Sequence, residues 1–254
     1  MSDTLEVTIL GCGSSGGVPR LGGPHNSGFW GACDPHNPKN RRTRCSMLAR
    51  RKSSNSETAV LVDTSPDMRQ QLLDAHCASL DGVLITHDHA DQVNGLDDLR
   101  MVAMHIRKRV DVYTDAPAIE GLMARFGYCF VQREGSSYPA ICNLHEIREP
   151  FEPFAVEGAG GPLPILAFGQ KHGSIRSLGF RFGPLAYSSD VNGLDDAAFA
   201  ALEGIDCWVV DTLRYTEHPS HAHLAMALGW IERVKPKRAI LTNMHVDLDY
   251  ETLK

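Results

Sequence analysis

Residues 83–92 read Val-Leu-Ile-Thr-His-Asp-His-Ala-Asp-Gln, an apolar run that leads directly into an HxHxD motif. The apolar and β-branched residues predict a buried strand. In an extended backbone, alternate side chains share one face, so His87, His89 and Asp91 can point the same way. Two neutral imidazoles and a carboxylate are typical ligands of a borderline divalent metal. A solvated polar turn is the alternative, but the preceding strand and the matching residues downstream favour a metal site.

The composition is that of an ordinary globular protein. With 254 residues, of which 43% are hydrophobic and 22% charged, the chain fits one large α/β domain over residues 1–254. The net charge of −6 argues against a broad electrostatic contact with nucleic acid. We find no segment typical of a signal peptide and no apolar run near the ~20 residues of a membrane span. Seven scattered cysteines without CxxC spacing predict reduced thiols in a cytoplasmic protein.

Apolar periodicity predicts alternating strands and helices. Helices are expected at residues 67–75, 118–126 and 224–234, and a further one is expected to be capped by Asn94 and to run to Ile106. Residues 20–45 are predicted to be a long irregular excursion, and residues 127–162 to be loops and edge strands. The predicted strands cover residues 5–10, 59–62, 83–86, 110–113, 165–168, 178–182, 185–187, 207–210 and 239–242.

Many of these strands end near a histidine or an aspartate. Asp63, His172, Asp190 and Asp211 each stand at or just beyond the end of a predicted strand. In α/β sheets, functional residues gather at one end of the strands, where loops can be oriented without disturbing the core. The sequence therefore predicts one functional edge, and no repeat or linker indicates a second domain.

Two polar segments near the N-terminus have two interpretations each. Residues 11–19, Gly-Cys-Gly-Ser-Ser-Gly-Gly-Val-Pro, could cradle a phosphate or form a structural turn, since the Walker lysine is missing. The basic stretch 39–45, which includes Arg44, could bind substrate phosphate or be a solvated loop. Ser189 could likewise donate to phosphate, although a plain turn at the strand end explains it as well.

The order of these residues resembles that of the metallo-β-lactamase superfamily over nearly the whole chain. The resemblance is carried by the glycine-rich loop, Asp63, the HxHxD motif, His172, Ser189-Asp190, Asp211, His221 and the strand ending at Asn243. The most similar branch is the phosphodiesterase that opens phosphoribosyl 1,2-cyclic phosphate, and the tRNA 3′-processing endonuclease is related to it. The resemblance implies an α/β fold, an αββα sandwich of mixed sheets with helices on the outer faces.

The resemblance also implies a set of metal ligands. A first divalent metal, zinc or manganese, would be held by His87, His89, His172 and Asp190, and Asp190 would bridge to a second metal. The second metal would take Asp91 and two histidines, which in this chain are the amides Gln92 and Asn243. An amide oxygen is a weaker ligand than an imidazole, so the second site is expected to be weak or empty. His245 could substitute only if the strand continued unbroken past Asn243.

Catalytic roles follow from the same resemblance. Asp91 would accept a proton from the attacking water or bind the second metal. His221 would protonate the departing oxygen, and Asp211 would orient His221. His223, two residues further on, is the alternative for the role of His221 and a candidate substrate contact, together with Ser189 and Arg44.

The chain departs from the branch in its early loop. The branch builds a structural zinc site there from three cysteines and a late histidine, whereas this chain keeps only Cys33 and has Val246 near the histidine position. We therefore expect no structural zinc in residues 20–45. The family also usually continues beyond the position of Lys254, which predicts a truncated C-terminal end.

These observations predict a metal-dependent phosphodiesterase acting on a small cyclic phosphate or a nucleotide-like phosphodiester. The alternatives are an RNA 3′-processing nuclease, which the acidic charge disfavours, a thioesterase of the glyoxalase II type, which would not need the glycine-rich loop, and a non-catalytic binder of nucleotide phosphate. The expected partner is a small phosphodiester rather than nucleic acid or a membrane, and a homodimer is compatible with the sequence.

Overall fold

The structure, a computed structural model, describes residues 3–254, which fall into two units. The first consists of residues up to Leu10 together with Ser46–Ala167, and the second of Gly11–Cys45 together with Phe168–Lys254. Each unit is thus assembled from two separate segments of the chain. The single domain expected from the sequence stays a prediction. Within residues 3–254, no helix is both long and apolar enough to cross a membrane.

The first unit contains a six-stranded sheet. Two of its strands form an antiparallel hairpin. The strands that follow the hairpin along the sheet pair with one another in parallel. Four helices accompany the sheet: α1 (Met68–Asp74), α2 (Ala90–Val93), α3 (Leu99–Ile106) and α4 (Ala116–Phe130). In sheet order the strands are β1 (Thr4–Gly11), β2 (Ser46–Ser53), β3 (Ser56–Val62), β4 (Gly82–Leu84), β5 (Val110–Thr114) and β6 (Cys142–Glu146).

Strand β4 lies within the parallel part of this sheet and is wholly buried, which explains its uninterrupted apolar sequence. In β5 the burial alternates, with Val110 and Val112 inside, as expected when one face is covered more fully than the other. The core is completed by apolar residues of the helices and of the turn before α3, namely Met68, Leu72, Leu96, Leu99, Val102 and Leu122.

The helix predicted to begin at Asn94 begins later. Asn94 instead ends α2, a 3₁₀ turn covers Leu96–Asp98, and α3 starts at Leu99. The reason is the close packing of Gly95, whose N–H donates to the Thr64 carbonyl at 2.9 Å. A Cβ atom at this position would lie 2.2 Å from the Ser65 carbonyl oxygen, so the backbone is held in a turn there.

Two further sequence predictions are modified by the structure. The region 127–162 contains the end of α4 and two edge strands, β6 and β7 (Phe154–Val156), which confirms edge strands there but not an absence of helix. Strand β2 was not predicted, because its charged residues 50–52 conceal the apolar pattern. It pairs with β3 from Met47 to Ser53, and Ser54, with φ of 53°, lies in the turn between them.

A second six-stranded sheet has the order β12-β11-β10-β9-β8-β7. Strand β8 (Leu163–His172) pairs antiparallel with β7 over its first residues. In the second unit, β9 (Ile175–Phe182) and β10 (Leu185–Ser188) are antiparallel, and β10, β11 (Cys207–Asp211) and β12 (Arg238–Thr242) are parallel. The helices of this unit are α5 (Asp196–Ala201), α6 (Leu224–Val234) and α7 (Tyr250–Leu253).

The core of the second unit is built around the fully buried Trp208. Ile231 and Val234 of α6 pack against this core, as the predicted apolar face requires. Leu228 was predicted to share that face but is 52% exposed, and Ala227 is buried instead. Helical geometry accounts for the difference, because 227, 231 and 234 form one stripe and residue 228 lies about 100° away from 227.

Candidate metal centre

In the first unit, the HxHxD motif lies at the turn from strand to helix. Strand β4 ends at Leu84, His87 and His89 are in the following loop, and Asp91 lies in the first turn of α2. The prediction that His87, His89 and Asp91 share a face by alternating along a strand is therefore wrong, since His89 already stands at the N-terminal boundary of α2. The turn nevertheless brings the rings of His87 and His89 to a centroid distance of 4.5 Å.

Asp63 and Thr86 fix the protonation of His87. Asp63 accepts from the Thr86 N–H at 2.8 Å and from the Thr86 hydroxyl at 3.0 Å. The Thr86 hydroxyl donates its single hydrogen to the Asp63 carboxylate, so toward His87 it can only accept. It therefore accepts from His87 Nδ1–H, with the two heavy atoms 3.0 Å apart. Nδ1 of His87 is then protonated and Nε2 carries the lone pair, which is the tautomer a metal ligand needs.

In the second unit, His172, Asp190 and His221 form a cluster of possible metal ligands, whose donor atoms all lie within 4.8 Å of one another. His172 Nδ1 donates to the Ser220 carbonyl at 2.7 Å, which leaves the lone pair on Nε2. The Asp190 backbone is fixed by the Ser177 hydroxyl, which donates to its carbonyl at 2.7 Å. Two imidazoles and a carboxylate are a donor set that suits a divalent metal.

Asp211 lies next to His221, as the sequence suggests. His221 Nδ1 donates to Asp211 Oδ2 at 3.0 Å, and the same oxygen accepts from the Val191 N–H at 3.0 Å. Burial raises the pKa of the Asp211 carboxyl, and the hydrogen bond with His221 opposes that rise. His223 precedes α6 as its N-cap residue. Of the two histidines, His221 is the one that the structure places beside Asp211.

The residues predicted for a second metal are placed as follows. Gln92 is buried in α2, with Nε2 3.5 Å from Asp91 Oδ2. The amide group of Asn243 lies 3.1 Å from His221 Nδ1. Asn243 has φ of 61°, so the extended backbone stops at Thr242 and the condition for recruiting His245 is not met. Nδ1 of His245 lies 3.0 Å from a carboxylate oxygen of Asp247.

The candidate substrate contacts Ser189 and Arg44 are both in the second unit. Ser189 is buried, and its carbonyl accepts from Gln170 Nε2 at 3.2 Å. Arg44 is half-buried and forms a parallel bridge with Gly13 of the glycine-rich loop. Burial raises the pKa of the Cys12 and Cys45 thiols, so both thiols stay protonated near neutral pH and are poor nucleophiles.

An arginine in the early loop, residues 20–45, joins this loop to the C-terminal segment. The buried Arg42 guanidinium donates to the Leu248 carbonyl at 2.6 Å and to Asn40 Oδ1 at 3.1 Å. Cys33 packs against Val246 in a small apolar cluster, and its thiol donates to the Val246 carbonyl at 3.3 Å. These contacts join the loop to the C-terminal segment that contains Val246 and Leu248. The expected absence of a structural zinc stays a prediction.

Histidines and aspartates at strand ends, in a chain with two mixed sheets, are typical of metallo-β-lactamase-type proteins. Residues 58–244 match the family model described as "Beta-lactamase superfamily domain", and the chain belongs to this family. The crystal structure of a new diphosphatase from the PhnP family is similar, with a TM-score of 0.83 and 29% identity, over 98% of this chain and 90% of that one. Human tRNase Z, short form, has a TM-score of 0.63 and 15% identity, over 99% and 94% of the two chains, which shows the fold alone.

Among curated proteins, an octanoyltransferase from Porphyromonas gingivalis is 32% identical over 254 residues, which are 98% of this chain and 48% of that protein. The chain spans about half the length of the curated relatives it matches. The predicted superfamily and its αββα fold class are thereby confirmed. The family match, the similarity to the diphosphatase structure and the cluster of His172, Asp190 and His221 together support a metal-dependent hydrolase.

Proposed function

We propose that this protein is a phosphodiesterase that hydrolyses a small cyclic phosphate or a nucleotide-like phosphodiester with the help of a divalent metal. The observation that carries the proposal is the His221–Asp211 pair, an oriented imidazole that lies beside the possible metal ligands His172 and Asp190. The similarity to a diphosphatase and the resemblance of the glycine-rich loop to the phosphodiesterase branch support phosphorus chemistry.

The residues proposed to hold the metal are His87, His89, His172 and Asp190. Their chemistry fits, because hydrogen bonds at Nδ1 of His87 and of His172 leave each Nε2 with a lone pair. When bound, zinc or manganese would supply Lewis acidity toward a phosphoryl oxygen and toward the attacking water. Gln92 and Asn243 would make any second site weak, and Asp91 remains the candidate for accepting the proton of the water.

His221 is proposed as the general acid. Asp211 accepts from Nδ1, which fixes the orientation of the ring, so that a proton on Nε2 can be given to the departing oxygen. Such assistance is typically worth about 10²–10⁴-fold in rate. Ser189, Arg44 and His223 are proposed as substrate contacts, with Arg44 suited to a phosphate oxygen through charge-assisted hydrogen bonds.

The test measures how His221→Ala changes the turnover of two substrates that differ in their leaving group. A 2′,3′-cyclic nucleotide expels an alkoxide that needs a proton, whereas bis(p-nitrophenyl) phosphate expels a stabilised phenolate. We expect turnover of the cyclic nucleotide to fall about 10²–10⁴-fold and that of the nitrophenyl ester far less. His105→Ala, an exposed residue of α3, is the control and should change neither. Equal losses on both substrates would show that His221 is not the general acid.

A second candidate function, hydrolysis of a medium-chain acyl thioester, is favoured by the match to an octanoyltransferase. Because this chain corresponds to about half of that protein, the match suggests an acyl substrate without identifying the chemistry. Release of free thiol from octanoyl-coenzyme A, measured beside diester hydrolysis, separates the two candidates. Turnover of the thioester alone would replace our first proposal, and turnover of neither would favour a non-catalytic phosphate binder.

A further inference from the structure

The residue between the two histidines of the HxHxD motif, Asp88, is bound by an arginine of helix α4. Arg125 Nη2 donates to Asp88 Oδ2 at 2.8 Å, and the same nitrogen donates to the Asp88 main-chain carbonyl. Both residues belong to the first unit and are 37 residues apart in the chain. No local sequence pattern connects them, and neither has a part in the mechanism proposed above.

This contact contributes more to geometry than to stability. The two side chains are each 37% exposed, and an ion pair that solvent screens contributes little to folding. The Asp88 carbonyl, however, belongs to the same planar peptide unit as the His89 N–H. Arg125 therefore fixes the orientation of the peptide that leads into His89.

Helix α4 provides a firm support for Arg125. Asp115 caps the helix by accepting from the Ala118 N–H at 3.2 Å, and Leu122 is buried in the core of the first unit. Within the helix, Arg125 Nε donates to the Gly121 carbonyl at 3.2 Å, which orients the guanidinium. The guanidinium thus links a packed helix to the loop that follows β4.

Helix α4 approaches Asp88 closely at a glycine. A Cβ atom on Gly121 would lie 2.0 Å from Asp88 Oδ2 and 2.7 Å from its Cγ, so a side chain there would displace the carboxylate. Glycine is unfavourable inside a helix, and its presence there usually has a packing reason. In the same helix, a Cβ atom on Gly127 would lie 4.0 Å from Met123 Cε, an ordinary contact distance. The close approach within α4 therefore occurs at Gly121, beside the carboxylate.

The two histidines of the motif depend differently on their surroundings. His87 is buried, and the Thr86 hydroxyl orients its ring. His89 is exposed and stands at the N-terminal boundary of α2. Ordering an exposed side chain on binding costs conformational entropy, and a backbone that is already fixed reduces that cost. The position of His89 thus depends on the peptide that Arg125 holds.

We infer that Arg125 is a positioning residue for the metal ligands, which acts through Asp88 to hold His89 where it can bind a metal together with His87. The inference rests on the proposed function for the assignment of the two histidines as ligands. The partners that orient metal ligands are typically worth about 10- to 100-fold in metal affinity. A contact one peptide removed from the ligand should be worth about 10-fold, the lower end of that range.

Cobalt binding tests the role of Arg125, because the visible absorption of bound Co²⁺ reports the geometry of its ligands. Arg125→Met keeps most of the side-chain length but removes the donors, so Co²⁺ affinity should fall about 10-fold and the visible spectrum should change. The control is Arg100→Met, which removes an ion pair of the same length, 2.8 Å to Asp97. It should leave Co²⁺ affinity unchanged, and equal affinities in the two variants would contradict the inference.

A second variant disturbs the same contact without changing the arginine. Gly121→Ala should displace the Asp88 carboxylate and lower Co²⁺ affinity by a similar factor, whereas Gly127→Ala should not. Melting curves establish that each variant is folded. A lower melting temperature with unchanged Co²⁺ affinity in Gly121→Ala would show a purely structural role and overturn the inference.

The route through Asp88 is tested by combining two changes. Asp88→Ala removes the carboxylate but keeps the main-chain carbonyl, so it should lower Co²⁺ affinity less than Arg125→Met does. The double variant should lose little more than Arg125→Met alone, because changes that act through one contact are not additive. Losses that multiply would show that the two residues act independently, against the inference.

These metal measurements need no substrate, which separates the inference from the proposed function. A protein that hydrolyses no diester, but loses Co²⁺ affinity in Arg125→Met and Gly121→Ala and not in their controls, would refute the function and support the inference. Diester hydrolysis together with unchanged Co²⁺ affinity in both variants would support the function and overturn the inference.

Discussion

At the scale of single residues, three members of the candidate site share an unusual backbone. Asp63, Asp190 and Asn243 have φ of 62°, 53° and 61°, and each lies one or two residues beyond the end of a strand. This left-handed conformation costs roughly 1–2 kcal/mol for most residues, and aspartate and asparagine adopt it most readily. The conformation turns the chain out of the strand, and specific contacts hold it, such as the hydrogen bonds between Asp63 and Thr86. Backbone geometry and site chemistry therefore favour the same residue types.

The first prediction concerns Thr86, which links Asp63 to His87. Thr86→Val removes the hydroxyl that accepts from His87 Nδ1 but keeps the N–H that bonds Asp63. We expect metal affinity to fall about 10–100-fold, because the ring loses the partner that fixes its tautomer. Competition with a chromophoric chelator measures the affinity. Thr86→Ser, which keeps the hydroxyl, should bind metal like the original protein, and unchanged affinity in the valine variant would refute this role.

At the scale of secondary structure elements, short connections position the site. The turn at Gly95 ends α2, the helix that carries Asp91 and Gln92, and allows α3 to begin after a 3₁₀ turn. The helix α7 is held at the other end of the chain by Asp249, which caps it and accepts from Asn40 Nδ2 at 2.6 Å. Both features depend on contacts that are distant in sequence.

A second prediction follows from the packing of Gly95. Gly95→Ala should destabilise the protein by about 1–3 kcal/mol, since the added Cβ would overlap the Ser65 carbonyl and cannot be accommodated without moving the backbone. Gly229→Ala is the matched control, because it lies in α6 with no atom within 4 Å of the added Cβ, and it should stabilise by up to about 1 kcal/mol. Chemical denaturation measures both. Destabilisation of similar size in both variants would contradict the packing argument.

The third prediction is that Asp249 stabilises the folded protein and that this stabilisation is lost at low pH. Hydrogen bonds from the Asp34 N–H and from Asn40 lower the pKa of Asp249 to about 2. A carboxyl whose pKa is lowered on folding stabilises the folded state above its ordinary pKa of 3.8, and that stabilisation is lost as the pH falls toward 2. Asp249→Ala should cost about 1 kcal/mol at pH 7 through loss of the cap. The difference from the original protein should shrink between pH 4 and pH 2, and a constant difference would argue against an ionised cap.

At the scale of the whole molecule, the chain is a member of the beta-lactamase superfamily domain family. The resemblance predicts one metal site with the usual ligand types and a second site in which two histidines are replaced by amides. His87, His89, His172 and Asp190 are intact, whereas Gln92 and Asn243 are amides. The buried positions of both amides show that they are integrated into the packing rather than left on the surface.

The fourth prediction is therefore one tightly bound metal per chain, with a second bound only when Mn²⁺ is in excess. Gln92→His combined with Asn243→His should raise the content toward two metals, while either single change should do much less. Elemental analysis of protein purified without a histidine tag measures the number of metals per chain. His172→Ala should lose metal and serves as the control for a disrupted site. Two tightly bound metals in the original protein would show that amides already serve as ligands.

Much of this protein was determined by local sequence. Periodicity located most strands and the long helices, because the repeat of apolar residues reflects the geometry of each element. The types and order of the strand-end residues were sufficient for the family and for the candidate ligands, since metal chemistry restricts donors to few side chains. The pairing of Asp211 with His221 also follows the expectation from sequence.

Only the tertiary structure decided the remaining features. The turn of His89 into α2, the late start of α3 and the break at Asn243 depend on backbone packing that no local pattern encodes. The role of Thr86 is not apparent from the sequence, because it consists of hydrogen bonds to the neighbouring His87 and to Asp63, 23 residues earlier in the chain. Folding also joins the glycine-rich loop to the C-terminal segment, where the Ser14 N–H donates to the Met244 carbonyl at 3.2 Å. A sequence specifies which groups are present, whereas the distances between groups far apart in the chain arise from packing.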